Sequence, residues 1–277
     1  MWDDPRRAFA GVVSLLVLAS CGGSGVRDHA PNASATVRDL PQDAVPKPEA
    51  QSRYGNGPTY EVLGKRYAVM ASGAGYSERG VASWYGQKFH GRMTSNQEKY
   101  DMYAMTAAHK TLPLPTYVRV RNLQNNKSTV VRVNDRGPFV HNRIIDLSYS
   151  AAMKLDMVQD GTSLVEITAI TFDGPQVTPP PVDPTPAEPE IIDAEVGVGI
   201  DQIFVQVGAF GSRENAQQRS AALTEAFIGN VSIHTDTSVY PTLYRVQIGP
   251  IWDAVQYDVI VDELENIGIS APYLITD

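Results

Sequence analysis

Between Gly174 and Gly199 the chain runs through Pro179-Pro180-Pro181, Pro184, Pro186 and Pro189 interleaved with acids, a stretch that no packed domain absorbs. Proline fixes φ and removes the amide donor, so such a run is an extended, solvated spacer. It splits the 277 residues in two, in keeping with a prior of about one domain per 150 residues. A second stretch, from Gly22 to about Pro58, is rich in Gly, Ser, Ala, Pro and charge without a sustained apolar period, and reads as a disordered tether. The expected organisation is residues 1–20 as an export signal, 21–59 as tether, 60–173 as one folded domain, 174–200 as linker and 201–277 as a second domain.

The single cysteine, Cys21, excludes an intrachain disulfide and a thiolate metal cluster. Arg6 and Arg7 precede an apolar run from Phe9 to Ala19, the length of a signal-peptide core and too short to span a bilayer. The run closes on Leu18-Ala19-Ser20-Cys21, which resembles a lipobox, so Cys21 is expected to carry lipid as a membrane anchor. Arg6-Arg7-Ala8-Phe9 also resembles a twin-arginine export signal, while Asp3 and Asp4 dilute its charge, leaving the export route open. Gly22 and Gly23 after the cysteine fit the periplasmic face of the outer membrane.

The first folded region reads as all-β. Val118 and Val120 alternate with Arg119 and Arg121, Val131 and Val133 bracket Arg132, and Gln124-Asn125-Asn126-Lys127 between them predicts a hairpin because asparagine tolerates positive φ. Leu164 to Ile170 is another strand, and Ser148 or Ser150 caps a short helix through Leu155. Short strands with one short helix predict a small closed barrel.

The second region repeats itself. Val205-Gln206-Val207-Gly208-Ala209-Phe210 recurs as Val246-Gln247-Ile248-Gly249-Pro250-Ile251, each copy followed by a helical pattern. Ser212 caps the first helix, with Ala216, Leu223 and Phe227 inward; Asp253 caps the second, with Val255, Val259 and Leu264 inward. Strands near Val231 and Tyr273 complete a βαββαβ order. Alternation sends Val205, Val207, Val246 and Ile248 toward the helices and leaves Phe204, Gln206, Arg245 and Gln247 on the open face.

Between Gly80 and Leu147 lie Ala82-Ser83-Trp84-Tyr85-Gly86, Thr94-Ser95-Asn96-Gln97-Glu98, Met105-Thr106-Ala107-Ala108-His109, Leu112-Pro113-Leu114-Pro115, Val133-Asn134-Asp135-Arg136-Gly137-Pro138-Phe139 and Arg143-Ile144-Ile145-Asp146-Leu147. Their order and density resemble the rare lipoprotein A (RlpA) family of septal lytic transglycosylases, and the resemblance runs from lipobox to C-terminus. It implies a double-psi β-barrel followed by a small α+β SPOR domain that binds glycan. It also implies cleavage of peptide-free peptidoglycan strands between N-acetylmuramic acid and N-acetylglucosamine, leaving anhydro ends, during septal wall remodelling. No metal or organic cofactor is implied.

That reaction needs one carboxyl group to protonate the leaving oxygen and then, as carboxylate, to deprotonate the internal nucleophile. A second group steadies the positive charge at the anomeric carbon. Glu98 and Asp135 match the family's essential acids, Asp135 taken as acid and base with Glu98 as partner and His109 as a third catalytic candidate. Asp146, Trp84, Tyr85 and Arg136 are candidates for sugar binding in the barrel, and Gln206, Phe210, Arg245 and Gln247 in the terminal domain. Gln97 stands where the family usually has glycine and Ser95 where alanine is common; a positive φ at Gln97 would cost about 1–2 kcal/mol.

The barrel's arginines suit a strand bearing lactyl carboxylates. The terminal domain has no lysine and only Arg213, Arg219 and Arg245 among many acids, which argues against nucleic acid. Divisome proteins are possible partners. The competing reading is a non-catalytic, glycan-binding or wall-organising septal lipoprotein.

Overall fold

The computed structural model describes residues 29–31, 40–172, 202–226, 228–270 and 272–276. The export signal, Cys21, the linker at 174–200 and Phe227 lie outside the described residues.

A two-stranded ribbon, β1 (Thr59–Val62) with β2 (Lys65–Ala68), precedes the barrel. Then follow β3 (Ser77–Tyr85), β4 (Thr106–His109), β5 (Thr116–Asn122), β6 (Ser128–Asp135), β7 (Arg143–Ser148), α1 (Tyr149–Lys154) and β8 (Thr162–Ile170). The strands close in the order β3-β7-β4-β6-β5-β8. Two neighbouring pairs, β3 with β7 and β4 with β6, are parallel and the rest antiparallel. This is the expected double-psi barrel.

The β5–β6 hairpin forms as its alternation predicts, pairing Val118 with Val131, and Asn126 takes φ 59° in its turn. Val118, Val120, Val131 and Val133 are fully buried, which at about 1.5–3 kcal/mol each makes this hairpin a large part of the core. Ser148, accepting from the Ala151 amide, caps α1.

The stretch ahead of β1 departs from expectation. Within the presumed tether at 21–59, the residues from about 43 to 57 lie against the barrel as a strap. Asp43 accepts from the Thr129 hydroxyl (2.7 Å) and from Lys154 (2.7 Å), and the Ala44 amide donates to the Val130 carbonyl. Asn56 donates to the Leu114 carbonyl (2.6 Å) and accepts its amide (2.8 Å). Polar pairs rather than periodic apolar residues hold the strap, so hydropathy patterning missed it.

The second domain contains β9 (Ile203–Phe210), α2 (Arg213–Glu225), β10 (Val231–Asp236), β11 (Leu243–Ile251), α3 (Ala254–Asn266) and β12 (Tyr273–Thr276). Its antiparallel sheet runs β10-β11-β9-β12, and Ser212 and Asp253 cap the helices as expected. Two expectations fail. Val255 and Val259 are 68% and 52% exposed, whereas Ala254, Tyr257, Ile260, Val261 and Leu264 form the buried stripe of α3. At 3.6 residues per turn Val255 lies about half a turn from Leu264, so the two never shared a face.

The other failure concerns Phe210. Val246 pairs with Gly208 and Gln247 with Gln206, leaving Val207 as an extra residue in β9. A bulge of one residue reverses the alternation beyond it. Phe210 therefore packs with Tyr244 against the helix-side core instead of facing out.

Candidate active site

A second bulge builds the candidate site. In the parallel β4–β6 pair, Ala107 pairs with Val133 and Ala108 with Asp135, so Asn134 is the extra residue. Without it Asp135 would point into the core beside Val133; with it Asp135 shares the outward face of Arg132. Ala108 also pairs with Asp146 across β7, and Asp146 with Ser83 across β3. Ser83, Asp146, Ala108 and Asp135 thus form one row across four strands, with a small alanine between the two carboxyl groups. Gly137 continues the chain at φ 138°, a conformation that suits glycine alone.

The turn from Thr94 to Glu98 covers one end of that row. The Thr94 hydroxyl donates to Asn96 Oδ1 (2.6 Å) and accepts the Glu98 amide (3.1 Å), and the Thr94 amide donates to the Glu98 carbonyl. Ser95 donates to Asp135 Oδ1 through its amide (2.7 Å) and its hydroxyl (2.6 Å), and the Arg136 amide adds a third bond (2.7 Å). No hydrogen bond reaches Asp135 Oδ2 among the described residues. In the reverse direction Glu98 accepts from Arg132 Nη1 on both oxygens (2.9 and 2.8 Å) and from Asn134 Nδ2 (2.8 Å). The turn and the end of β6 hold each other through the two acids, which brings Glu98 and Asp135 to one place.

The Asp146 carboxyl is pushed above its ordinary range by burial, against the Ser83 hydrogen bond and the charges of Arg143 and Lys110; the charge of Asp135 adds to the rise. The Tyr85 hydroxyl lies near Thr106 and both aspartates. This arrangement supplies a fixed carboxylate in Glu98, an oriented carboxyl with one unpartnered oxygen in Asp135, and a third acid that resists ionisation behind them. Three acids so disposed suit proton transfer at a glycosidic oxygen beside a developing cation. Among the described residues no cluster of His, Cys, Asp and Glu is arranged to hold a metal.

Gln97 sits at φ 68°, the strained conformation considered above. Its strain leaves Glu98 in place because Arg132 and Asn134 fix that side chain from β6. Replacing Gln97 with glycine is expected to stabilise the fold by about 0.5–1 kcal/mol, the released strain less the extra unfolded-state entropy of glycine. Urea denaturation reads this directly.

His109 takes no part in the row. Its side chain is 2% exposed; Nδ1 accepts the amides of Thr111 (3.2 Å) and Leu112 (3.0 Å), and Nε2 faces the Tyr76 hydroxyl at 2.9 Å. With Nδ1 an acceptor, Nε2 carries the proton and donates to Tyr76, which in turn donates to Glu78. The link to the site runs through its main chain, whose carbonyl accepts from Arg136 Nη1 (3.2 Å). Burial, with the charges of Arg136 and Lys110, pushes its pKa down to about 3. Between an unfolded value of about 6.5 and that folded value, the unfolded chain binds a proton that the native protein does not. Stability attributable to His109 therefore declines as pH falls across that window. The expected NMR result is a neutral His109 ring at pH 4.5, where an ordinary exposed imidazole is protonated.

The other barrel candidates separate. Tyr85 is 8% exposed and stacks on Tyr100 (4.0 Å), so it fills core, whereas Trp84 packs edge-on against Tyr149 (5.7 Å) and is only partly buried. Arg136 donates to the carbonyls of Gly55 (2.9 Å), His109 and Leu112 (2.5 Å) and to Asn56 Oδ1 (3.1 Å), and lies over the Tyr60 ring. Its guanidinium is spent on the protein's own chain. A half-buried aromatic pair, Tyr60 and Phe139, lines with Gly55, Gly57, Val62, Ser95 and Arg136 a concavity of about 390 Å³ beside Asp135. Arg132, Asn134 and Ser95 went unassigned in the sequence. Arg132 was legible only as an outward-facing cation three positions before Asp135.

In the terminal domain Arg245 donates to Asp236 (2.6 and 2.9 Å) and to Gln206 Oε1 (3.3 Å). Gln247 lies between Gln206 and Ser232 on neighbouring strands and is only 3% exposed, and Phe204 is buried as well, so the sheet face is less open than alternation implied.

Residues 77–167 match the family described as lytic transglycolase and residues 201–276 the SPOR domain. The chain is 38% identical over 276 residues to the endolytic peptidoglycan transglycosylase RlpA of Vibrio cholerae, covering 98% of this chain and 97% of that one. The protein of the same name from Neisseria meningitidis serogroup B is 42% identical over 210 residues, 75% of this chain and 79% of its own. Among solved structures, the RlpA SPOR domain from Pseudomonas aeruginosa is 27% identical, covering 26% of this chain and 96% of that one, with a TM-score of 0.25.

Proposed function

The chain belongs to the RlpA family of endolytic peptidoglycan transglycosylases, and on that premise we propose which strands it cuts and which of its residues cut them. It is a lytic transglycosylase of peptidoglycan, with a SPOR domain that binds the same polymer. Its substrate is the peptide-free strand, whose lactyl carboxylates suit the barrel's arginines. Asp135 Oδ2 protonates the leaving oxygen as the bond from the muramic anomeric carbon breaks. The same carboxylate then takes the proton of the muramic hydroxymethyl group as its oxygen closes on that carbon, so no water is consumed. Glu98, held in place by Arg132 and Asn134, faces the developing cation, and the Tyr60–Phe139 wall receives a sugar ring. The observation that supports this division of labour most directly is the contrast between Glu98, with both oxygens occupied, and Asp135, with one oxygen fixed and the other open.

The protein works at the cell wall. No helix among the described residues is long and apolar enough to cross a membrane. Attachment through a lipidated Cys21 to the inner leaflet of the outer membrane, enrichment at the septum and contact with divisome proteins complete the proposal. Gln206 and Arg245 are the residues of the SPOR sheet that meet glycan.

The test is incubation with amidase-treated peptidoglycan and mass spectrometry of the products. Anhydro-ended saccharides are the expected result. Pelleting with sacculi but yielding no such ends would replace cleavage by the non-catalytic, wall-organising reading.

A further inference from the structure

Arg132 is shared between two carboxylates from separate segments, Glu49 of the strap and Glu98 of the turn before β4. Its Nε and Nη2 donate to the two oxygens of Glu49 (3.0 and 2.9 Å), the forked, two-bond geometry in which a guanidinium binds a carboxylate most strongly. Only Nη1 remains, and it bridges both oxygens of Glu98. Tyr117 donates to Glu49 as well, holding its carboxylate on β5. Glu49 lies in the strap, in sequence that has neither apolar period nor motif.

We propose that Glu49 is a positioning residue for the acid pair, taking the fork of Arg132 so that Glu98 is held in place without being fully neutralised. The role rests on the cleavage reading above. One guanidinium carries one positive charge, and here it serves two carboxylates. The pair therefore keeps a net negative charge beside the groove, where an oxocarbenium-like sugar would develop positive charge. Without Glu49, Arg132 is free to turn its fork to Glu98, drawing that side chain toward β5 and cancelling its charge. Glu49 does not touch substrate. It sets how much of Arg132 reaches the residue that does.

The test is a double-mutant cycle on the full chain, with single-turnover rates measured at enzyme excess so that slow variants still yield product. Glu49→Gln is expected to lower the cleavage rate about tenfold and to leave the saturation constant for glycan within twofold. In a Glu98→Gln background the same change is expected to cost nothing further, because its effect runs through Glu98. A purely structural strap contact would lower both backgrounds by the same factor, and that outcome, or an unchanged rate in Glu49→Gln, overturns the role. A wild-type chain that cleaves nothing removes the cleavage reading and this role together, whereas wild-type cleavage with an indifferent Glu49→Gln removes the role alone.

Discussion

Replacing Asp135 with asparagine is expected to lower the release of anhydro-ended products by about 10³–10⁴-fold while leaving the protein folded and bound to glycan. A general acid or base contributes typically about 10²–10⁴ in rate, and here one carboxyl group performs both proton transfers. Asparagine preserves the oxygen that accepts from Ser95 and Arg136, so the turn stays attached to β6. Its amide nitrogen takes the position of Oδ2, which accepts no hydrogen bond from the described residues, and a primary amide neither donates an acidic proton nor accepts one. Product yield by mass spectrometry, pelleting with sacculi and the thermal midpoint are the three readings. Loss of product with the other two retained is the expected pattern. Activity within tenfold of wild type would move the proton to another acid, and Asp146, with its raised pKa, stands next in the row.

The largest effect on stability is expected at Arg136. Truncation to alanine leaves four acceptors, the carbonyls of Gly55, His109 and Leu112 and the Asn56 side chain, without their charged donor. Losing hydrogen bonds from a half-buried charged group costs about 3 kcal/mol in total once water has replaced part of what is lost. The damage should concentrate in the strap, because two of the four acceptors belong to it. Hydrogen exchange should show the Ser52 amide, which donates to the Leu114 carbonyl, losing protection before the β5–β6 hairpin does. Lysine at this position is expected to rescue little: an ammonium cannot reproduce a planar fork that serves three segments at once. Urea midpoints of wild type, Arg136→Ala and Arg136→Lys decide the matter, and a loss below about 1 kcal/mol in the alanine variant would show that the strap is held elsewhere.

The two predictions involve adjacent residues with opposite roles, a distinction that sequence reasoning missed for Arg136. The string Asp135-Arg136-Gly137-Pro138 reads as acid, cation and turn, and a cation next to a catalytic acid invites assignment to an anionic sugar. Nothing local reveals that four of the protein's own acceptors claim the guanidinium first. The same holds for His109, whose ring nitrogens are taken by Thr111, Leu112 and Tyr76. Tyr85 is a milder case, since a large aromatic in a strand usually fills core. Phe210 and Val255 fail for simpler reasons: a bulge reverses one alternation, and Val255 lies half a turn from Leu264 on its helix.

Several features were present in the sequence alone. Glu98 and Asp135 stood out only through a resemblance to a family, whereas the division into barrel and terminal domain, the β5–β6 hairpin and the caps at Ser148, Ser212 and Asp253 follow from local rules. Each depends on φ preference, side-chain period or residue type over a few positions, and such terms act before the chain has folded. Tertiary structure alone decided which groups surround the acids. The row from Ser83 to Asp135 exists because strands far apart in sequence pair, β3 with β7 and β4 with β6 in parallel and β4 with β7 antiparallel. Asp135 faces outward because Asn134 is one residue too many for its partner strand, and Glu49 reaches Arg132 because a polar strap returns across the barrel. Contacts of this kind are set by closing long loops around a shared core, and no window of neighbouring residues carries the energy that selects them.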